Sequence, residues 1–355
     1  MQKAKNLIVV LVIIVSFTLF VSCNKNLNVE YEMIYLYSSL ESGSLLLKVD
    51  DKNNLLEDSF APDKKLIMGA FMDNLQVVDD AIYCASPLNY IGNQGSVSRI
   101  NINDLSITSI DTGLNATAFV VNDNIVYASS STPEYSTITQ TNIETGEILS
   151  TYNVPGSIYN LFIANKQLYC IANNYSIPNS SSIVYSISSQ NSSLSKCFEL
   201  TGSSYIEDVL VSEDFIFFAS YNNTQDQDAF EIFKYNYLTN TTTKILLPFS
   251  KIHKLHMQDD KLYAIQFDYR KEQTQNSVAV IDIFTDEVLQ VTSLPTTSMD
   301  SLILNNTLIT SDGEYMYIYS LNDFKLEDSF KIPKPSDNNF NFIGFTITKL
   351  HKEIY

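Results

Sequence analysis

The 355-residue chain has no tryptophan, only three histidines and four cysteines, and 22 basic side chains against 40 acidic ones. With so little histidine and cysteine, metal or nucleophilic chemistry has few residues to draw on. No Asp-x-Asp-x-Asp-Gly calcium loop, Gly-x-Ser-x-Gly elbow or phosphate loop occurs, and the short DQD at Asp226–Asp228 is a weak signal by itself. Neither a cofactor nor a metal is therefore expected. Past Cys23, the remaining cysteines (Cys84, Cys170 and Cys197) are an odd, sparse set and no disulfide framework. Cys84 and Cys170 each follow a tyrosine in similar segments, AIYCAS and QLYCIA, and are expected as buried thiols. The shortage of positive charge argues against nucleic acid and against electrostatic adhesion to anionic lipid. Beyond residue 21 no apolar run reaches the ~18 residues needed to span a bilayer.

One long apolar run does exist, at the start. Lys3 and Lys5 precede LIVVLVIIVSFTLFV (Leu7–Val21) and then Ser22-Cys23, the layout of a secretory signal. The stretch Leu19–Cys23 resembles the bacterial lipoprotein box. That resemblance implies cleavage after residue 22, lipidation of Cys23, and a chain held by lipid on the extracytoplasmic side of a bacterial envelope. An uncleaved anchor or an ordinary signal peptide is the alternative. Removing residues 1–22 takes away Lys3 and Lys5 and no acid, which leaves 20 basic against 40 acidic side chains. Membrane attachment then falls to the lipid.

The rest of the chain repeats. VVDDAIYCAS (Val77–Ser86) has an apolar pair, two turn formers and a second apolar strand. It returns as VVNDNIVYAS (Val120–Ser129), FIANKQLYCIA (Phe162–Ala172), LVSEDFIFFAS (Leu210–Ser220), HMQDDKLYAIQ (His256–Gln266) and LILNNTLITS (Leu302–Ser311). The first apolar residues of the second strands are Ile82, Ile125, Leu168, Ile216, Leu262 and Leu308, at intervals of 43, 43, 48, 46 and 46. Four antiparallel strands every ~40–50 residues is the spacing of a β-propeller blade. Pairs such as Asp79-Asp80, Asn122-Asp123 and Asn305-Asn306 suit type I′ hairpins. Strands apolar on both faces suit blades packed between neighbours.

Counting 48 back from Ile82 reaches Ile34, and 46 forward from Leu308 reaches Ile354. HKEIY (His351–Tyr355) is thus expected in the place of NKQLY (Asn165–Tyr169), with His351 in a hairpin turn. The first repeat begins at its second strand, and FIGFTIT (Phe342–Thr348) has the form of a first strand. The expected fold is all-β: a seven-bladed β-propeller over 30–355, closed by the C-terminal strand completing the first blade, after a signal (1–22) and a lipidated linker (23–29). An open β-solenoid would need caps, which are not found.

NSVAVIDIFTDEVLQVTSLP (Asn276–Pro295) and, more loosely, NIETGEILSTYNVPG (Asn142–Gly156) resemble the repeat of the YVTN/YncE-like propeller family. The resemblance implies a seven-bladed disc and no particular activity.

Strand direction alternates, so one face carries the tight turns and the other the longer second-to-third loops. A linker of some seven residues spans at most ~25 Å, which sets the tight-turn face towards the membrane and the loop face away from it. Five outward loops each hold a tyrosine, Tyr90, Tyr135, Tyr175, Tyr221 and Tyr269, amid Ser and Asn, the composition of adaptable binding surfaces. Eight residues before each second-strand position stands a polar residue: Asn74, Thr117, Asn160, Asp208, Lys254, Asp300 and Thr346. These should ring the channel mouth, where a small ligand could sit or where the strands meet channel water. His253 and His256 lie three apart on a strand and should face opposite ways, with His256 packed. The expected function is non-catalytic binding or scaffolding of a protein, peptide or glycan by a monomer. The alternative is a hydrolase, lyase or lactonase using channel carboxylates such as Asp208 and Asp300.

Overall fold

The computed structural model describes residues 29–39, 43–50, 54, 56, 75–86, 96–132, 134–173, 179–188, 193–225, 227–268, 276–334 and 341–352. Among these residues are 27 strands and no helix. The strands form seven antiparallel sheets, six with four strands and one with three. In the sheet holding the N-terminal strand (blade 1), Val29–Ser39 lies between Gly43–Asp50 and Asn341–Lys352. Pairing runs from Val29 opposite Lys352 to Ser38 opposite Asn341. The C-terminal strand therefore completes the first blade; the place of that blade's fourth strand falls outside the described residues.

The innermost strands of blades 2 to 7 are Gln76–Val78, Ala118–Asn122, Ser157–Ala164, Ser203–Val211, Ile252–Gln258 and Asp300–Leu304. They stand beside one another around the centre, while outermost strands such as Thr241–Leu246 and Leu326–Lys331 are mostly exposed. Between them, successive side chains of the second strands alternate between the two neighbouring blades. Met33, Tyr35 and Tyr37 pack on Ile309 and Met316 of blade 7. Ile34 and Leu36 pack on Ile82, Cys84 and Ile100 of blade 2. Seven apolar clusters fill the seven junctions in this way and close the ring. Burying a Leu, Ile or Phe side chain contributes about 1.5–3 kcal/mol, so both-sided apolar strands are what a ring of blades selects. Cys84 and Cys170 sit in these junctions as free thiols.

The turns explain the repeat's polar spacing. Both central residues have positive φ at Asn165-Lys166 and Asn305-Asn306, as a type I′ turn requires. At Asp79-Asp80, Asp259-Asp260 and Asp123-Asn124 only the first does. Asp123-Asn124 replaces the expected Asn122-Asp123, because Asn122 pairs with Ile125. The third-to-fourth turns share a different device. Asn101, Asn142, Asn236 and Asp282 each accept two backbone N–H groups through Oδ1, from the residues two and three further on. The next residue in each turn (Leu105, Gly146, Asn240, Asp286) then takes positive φ. The residues Ile102, Ile143, Tyr237, Ile283 and Leu321 donate their N–H to the first-to-second turns of the same blades. Both kinds of tight turn thus share one face.

One expectation near the C-terminus changes. His351 lies within the closing strand, opposite Glu30, and not in a hairpin turn. Val29–Met33 gives that strand a partner well past the usual hairpin position, with bulges at Glu32/Met33 and Leu36/Tyr37 taking up the register. Ile354 and Tyr355 lie outside the described residues.

Candidate functional site at the channel mouth

Strand pairing identifies which residues share the mouth. Asn160, Asp208, Lys254 and Asp300 pair with Ile171, Ala219, Ile265 and Ser311, in each case three residues beyond the second-strand reference position. All four are half-buried. Thr117 and Thr346 do not hold the equivalent positions. In blade 3 it is Val126 that packs towards blade 2, whereas Ile125 packs towards blade 4. The equivalent residue is therefore Ala118, which pairs with Ser129. In blade 1 Met33, not Ile34, faces the preceding blade, which places Gly344, opposite Leu36, at the mouth. Asn74 lies outside the described residues.

Several polar side chains at the mouth and along the channel are tied to the next blade. An innermost strand is paired on one side only, so its other edge carries N–H and C=O groups that need partners. Asp208 accepts the Leu255 N–H at 2.7 Å through Oδ2 and the Val209 N–H at 2.9 Å through Oδ1. Asp300 does the same for Phe345 at 3.0 Å and Ser301 at 2.9 Å. Asn160 donates Nδ2 to the Glu207 carbonyl at 3.2 Å, and Gln76 accepts the Val121 N–H at 2.8 Å. Thr117 donates to the carbonyls of Ser129 (3.1 Å) and, in the next blade, Ile158 (3.5 Å). Gly344 has no side chain for a reason: a Cβ there would stand 2.8 Å from Asp300 Oδ2.

Blade 1, at Ile343 before Gly344, and the three neighbouring blades 4, 5 and 6 depart from regular pairing just before the mouth residue. The register shifts between Ile158 and Asn160, Ile206 and Asp208, and Ile252 and Lys254, so Tyr159, Glu207 and His253 are extra residues in their strands. Bulges re-aim side chains. Tyr159 meets Tyr205 edge-on, with ring centroids 6.1 Å apart. Buried His253 places Nδ1 3.2 Å from buried Glu207 Oε1 and Nε2 3.1 Å from the Met299 carbonyl. The same bulge disturbs the expected alternation, because His256, three residues on, also reaches blade 7, at Ser301 Oγ (2.9 Å). Burial, then the charges of Lys254 and His253, push the His256 imidazole down to about 3. Among the described residues no group of three or more His, Cys, Asp or Glu is placed to hold a metal ion.

Inside the channel, a cavity of about 390 Å³ runs along blades 2 to 5. Leu75, Val77, Phe119, Leu161 and Phe162 give it an apolar wall, with Asn160 and Asp208 at the mouth end. Gln76, Asn160 and Asp208 are bonded between blades, but the exposed lining is more polar than apolar and Asn160 Oδ1 accepts no bond, so the wall offers polar as well as apolar surface.

The tyrosines separate. Tyr135 opens the third strand of blade 3 and is 52% exposed on the loop face. Tyr221 is not a loop residue, because the second strand of blade 5 (Phe215–Asn223) continues through it. Its side chain is fully buried, with its hydroxyl 3.4 Å from Asp268 Oδ1 and the Lys251 ammonium 3.9 Å from its ring centroid. Tyr90, Tyr175 and Tyr269 lie outside the described residues, as does Cys23.

These features define a seven-bladed β-propeller. No family model and no curated protein matches the chain, but solved propellers do. A putative 6-phosphogluconolactonase from Bacteroides uniformis superposes with a TM-score of 0.60 at 10% identity, covering 90% of this chain and 99% of that one. Apo AztD from Citrobacter koseri gives 0.56 at 10% identity, over 92% and 100%. The dihydro-heme d1 dehydrogenase NirN gives 0.57 at 11% identity, over 85% and 64%. At such identities the likeness is one of fold.

Proposed function

We propose that this chain is a lipid-anchored, extracytoplasmic propeller of the bacterial envelope that binds a protein, peptide or glycan without turning it over. Residues 1–22 act as the signal, Cys23 carries the lipid, and the loop face looks away from the membrane. The resemblance of Asn276–Pro295 to the YVTN/YncE-like repeat is compatible with such a role. The observation that carries the non-catalytic reading is the use of Asp208 and Asp300: each carboxylate accepts one backbone N–H from the next blade and one from the following residue of its own strand. Acid–base chemistry needs a carboxyl group that can reach a substrate proton. A ligand would meet the loop face around Tyr135 and the mixed polar and apolar cavity behind the mouth. The excess of acidic side chains disfavours nucleic acid as the partner.

The likeness to a putative lactonase keeps one alternative specific, a propeller hydrolase working from the mouth. One experiment separates the two. The full chain is used to capture partners from its own envelope, beside Asp208→Ala/Asp300→Ala and Tyr135→Ala forms, and the same forms are assayed for hydrolysis of sugar lactones. Capture reduced by Tyr135→Ala, with no lactone turnover in any form, fits the binding reading. Turnover abolished by the carboxylate variant, under conditions where that variant remains folded, overturns it. Incorporation of labelled palmitate that is lost in Cys23→Ser checks the anchor.

A further inference from the structure

His253 faces two acceptors. Its Nε2 lies 3.1 Å from the Met299 carbonyl and its Nδ1 3.2 Å from Glu207 Oε1. A carbonyl oxygen only accepts, so Nε2 carries a hydrogen, and a neutral imidazole has no second one to give. Two arrangements satisfy the other side. Either Nδ1 is also protonated and donates to an ionised Glu207, or Glu207 is a carboxylic acid whose O–H donates to Nδ1. Both contain the same number of protons. Without that proton the Nδ1 lone pair would face a carboxylate oxygen between two buried side chains, which is repulsive and costly in a poorly solvated site.

We propose that Glu207 and His253 hold one shared proton in the folded protein and that this proton makes the junction of blades 5, 6 and 7 a pH-sensitive latch. Glu207 comes from blade 5, His253 from blade 6 and the Met299 carbonyl from the approach to blade 7. Each stands immediately before a mouth residue: Asp208, Lys254 and Asp300 respectively. Loss of the proton to solvent breaks one N–H or O–H bond, removes the Glu207–His253 contact, and loosens the three strands where they meet the channel. The charged residues adjacent in the three strands are Asp208 after Glu207, Asp300 after Met299, and Lys251 and Lys254 on either side of His253, with the Lys251 ammonium bonded to Asn222 and Asp228. Phe267, with its ring 5.3 Å from the imidazole, adds no charge. His256 is the neutral counterpart on the same strand; it bonds a hydroxyl, and the charges of Lys254 and His253 help to keep it unprotonated. This inference is independent of whether the protein binds or catalyses.

The test uses the full chain labelled with ¹⁵N-histidine and ¹³C-glutamate, with Glu207→Gln as the comparison. At pH 7 nuclear magnetic resonance should show His253 as an imidazolium. A neutral His253 together with a protonated Glu207 carboxyl signal, absent in the variant, supports the proposal equally. A neutral His253 beside an ionised Glu207 at pH 7 overturns it. Stability gives a second reading. In Glu207→Gln the amide N–H can donate to a neutral imidazole, so the variant keeps the contact without the proton and should still fold. Above about pH 6.5, where the unfolded histidine has lost its proton and the folded pair still holds one, the wild-type folding equilibrium constant should drop tenfold more per pH unit than that of the variant, until the folded pair itself titrates. Parallel pH profiles for the two chains would refute the latch.

Discussion

Asp300 offers a direct way to tell a structural carboxylate from a catalytic one. It closes the ring between blade 7 and the C-terminal strand, accepting the N–H groups of Phe345 at 3.0 Å and Ser301 at 2.9 Å. Asp300→Ala leaves both donors without that acceptor at a half-buried position. Hydrogen bonds to a charged group are each worth about 1.5–3 kcal/mol, less where water can replace them, so the substitution should cost about 2–4 kcal/mol. Gly344→Ala provides the cross-check. The new methyl would sit 2.8 Å from Asp300 Oδ2, an overpacking expected to cost about 1–3 kcal/mol. In the Asp300→Ala background that oxygen is gone, and Gly344→Ala should be close to neutral. Urea unfolding of the wild type, the two single variants and the double variant measures all of this in one cycle, with a coupling of at least about 1 kcal/mol. A carboxylate kept for catalysis behaves in the opposite way, since its removal commonly leaves stability unchanged or improves it. An Asp300→Ala chain within about 0.5 kcal/mol of wild type, or additive costs in the double variant, would refute the structural reading of Asp300.

Other perturbations probe the same framework. The buried Lys234 ammonium binds the Ile283 carbonyl at 2.6 Å and Asp286 at 2.7 Å, and lies 4.1 Å from the Phe215 ring centroid, joining blades 5 and 6. Because Asp286 keeps some contact with water, Lys234→Met should cost about 2–4 kcal/mol in urea unfolding, towards the lower end of what breaking a buried pair costs. For His256, with its imidazole held down at about 3, the unfolded chain takes up a proton below about pH 6.5 that the folded chain refuses. Stability should therefore fall between pH 6.5 and 3, by about 2 kcal/mol at pH 5, and His256→Leu should remove that part of the acid slope; an unchanged slope would exclude His256 as its source. In a Cys23→Ser chain, an aromatic disulfide reagent should titrate Cys197 quickly, because Cys84 and Cys170 are buried and desolvation raises both thiols, Cys84 to about 12. Fast reaction of three thiols in the native chain would contradict the junction packing.

The blade count and its closure were legible because they rest on features that each repeat must preserve. Two turn formers between apolar pairs fix a hairpin, and the ring needs every second strand to be apolar on both sides. The mouth was legible only in part. Counting from the first apolar residue cannot tell which neighbouring blade that residue faces. Ile125 and Ile34 each precede or follow the residue that packs backwards, and the count misses Ala118 and Gly344 as a result. Small residues at these places carry no polar signal that could have drawn attention. The Asn and Ser around Tyr221 read as a loop, yet pairing with the innermost strand carries the second strand through Asn223. The Glu207–His253 contact had no sequence signature at all. It depends on a one-residue bulge in each of two strands, and a bulge shifts side-chain direction without changing composition.

A polar ring around a propeller channel is, on this view, largely a demand of the fold. Every innermost strand has a free edge, and side chains from the preceding blade are the nearest groups able to satisfy it, as Gln76, Asn160, Asp208 and Asp300 do. Polar residues recurring at that position therefore say little about a ligand. What the fold does not demand is the register shift before the mouth residue, which recurs in blades 1, 4, 5 and 6. Blades 2, 3 and 7 pair their innermost strands without register shifts, so bulges at Tyr159, Glu207 and His253 are not required to complete a blade. Lys251, just before the third of these strands, takes a φ of 60° while its buried ammonium bonds Asn222 at 2.8 Å and Asp228 at 2.9 Å. A left-handed lysine and three consecutive bulges cost conformational energy that a regular blade avoids. The left-handed lysine and the buried Glu207–His253 contact both lie on the blade 5 and 6 side, next to the Asp208 end of the cavity, and that is the side where substitutions should alter function before they alter the fold.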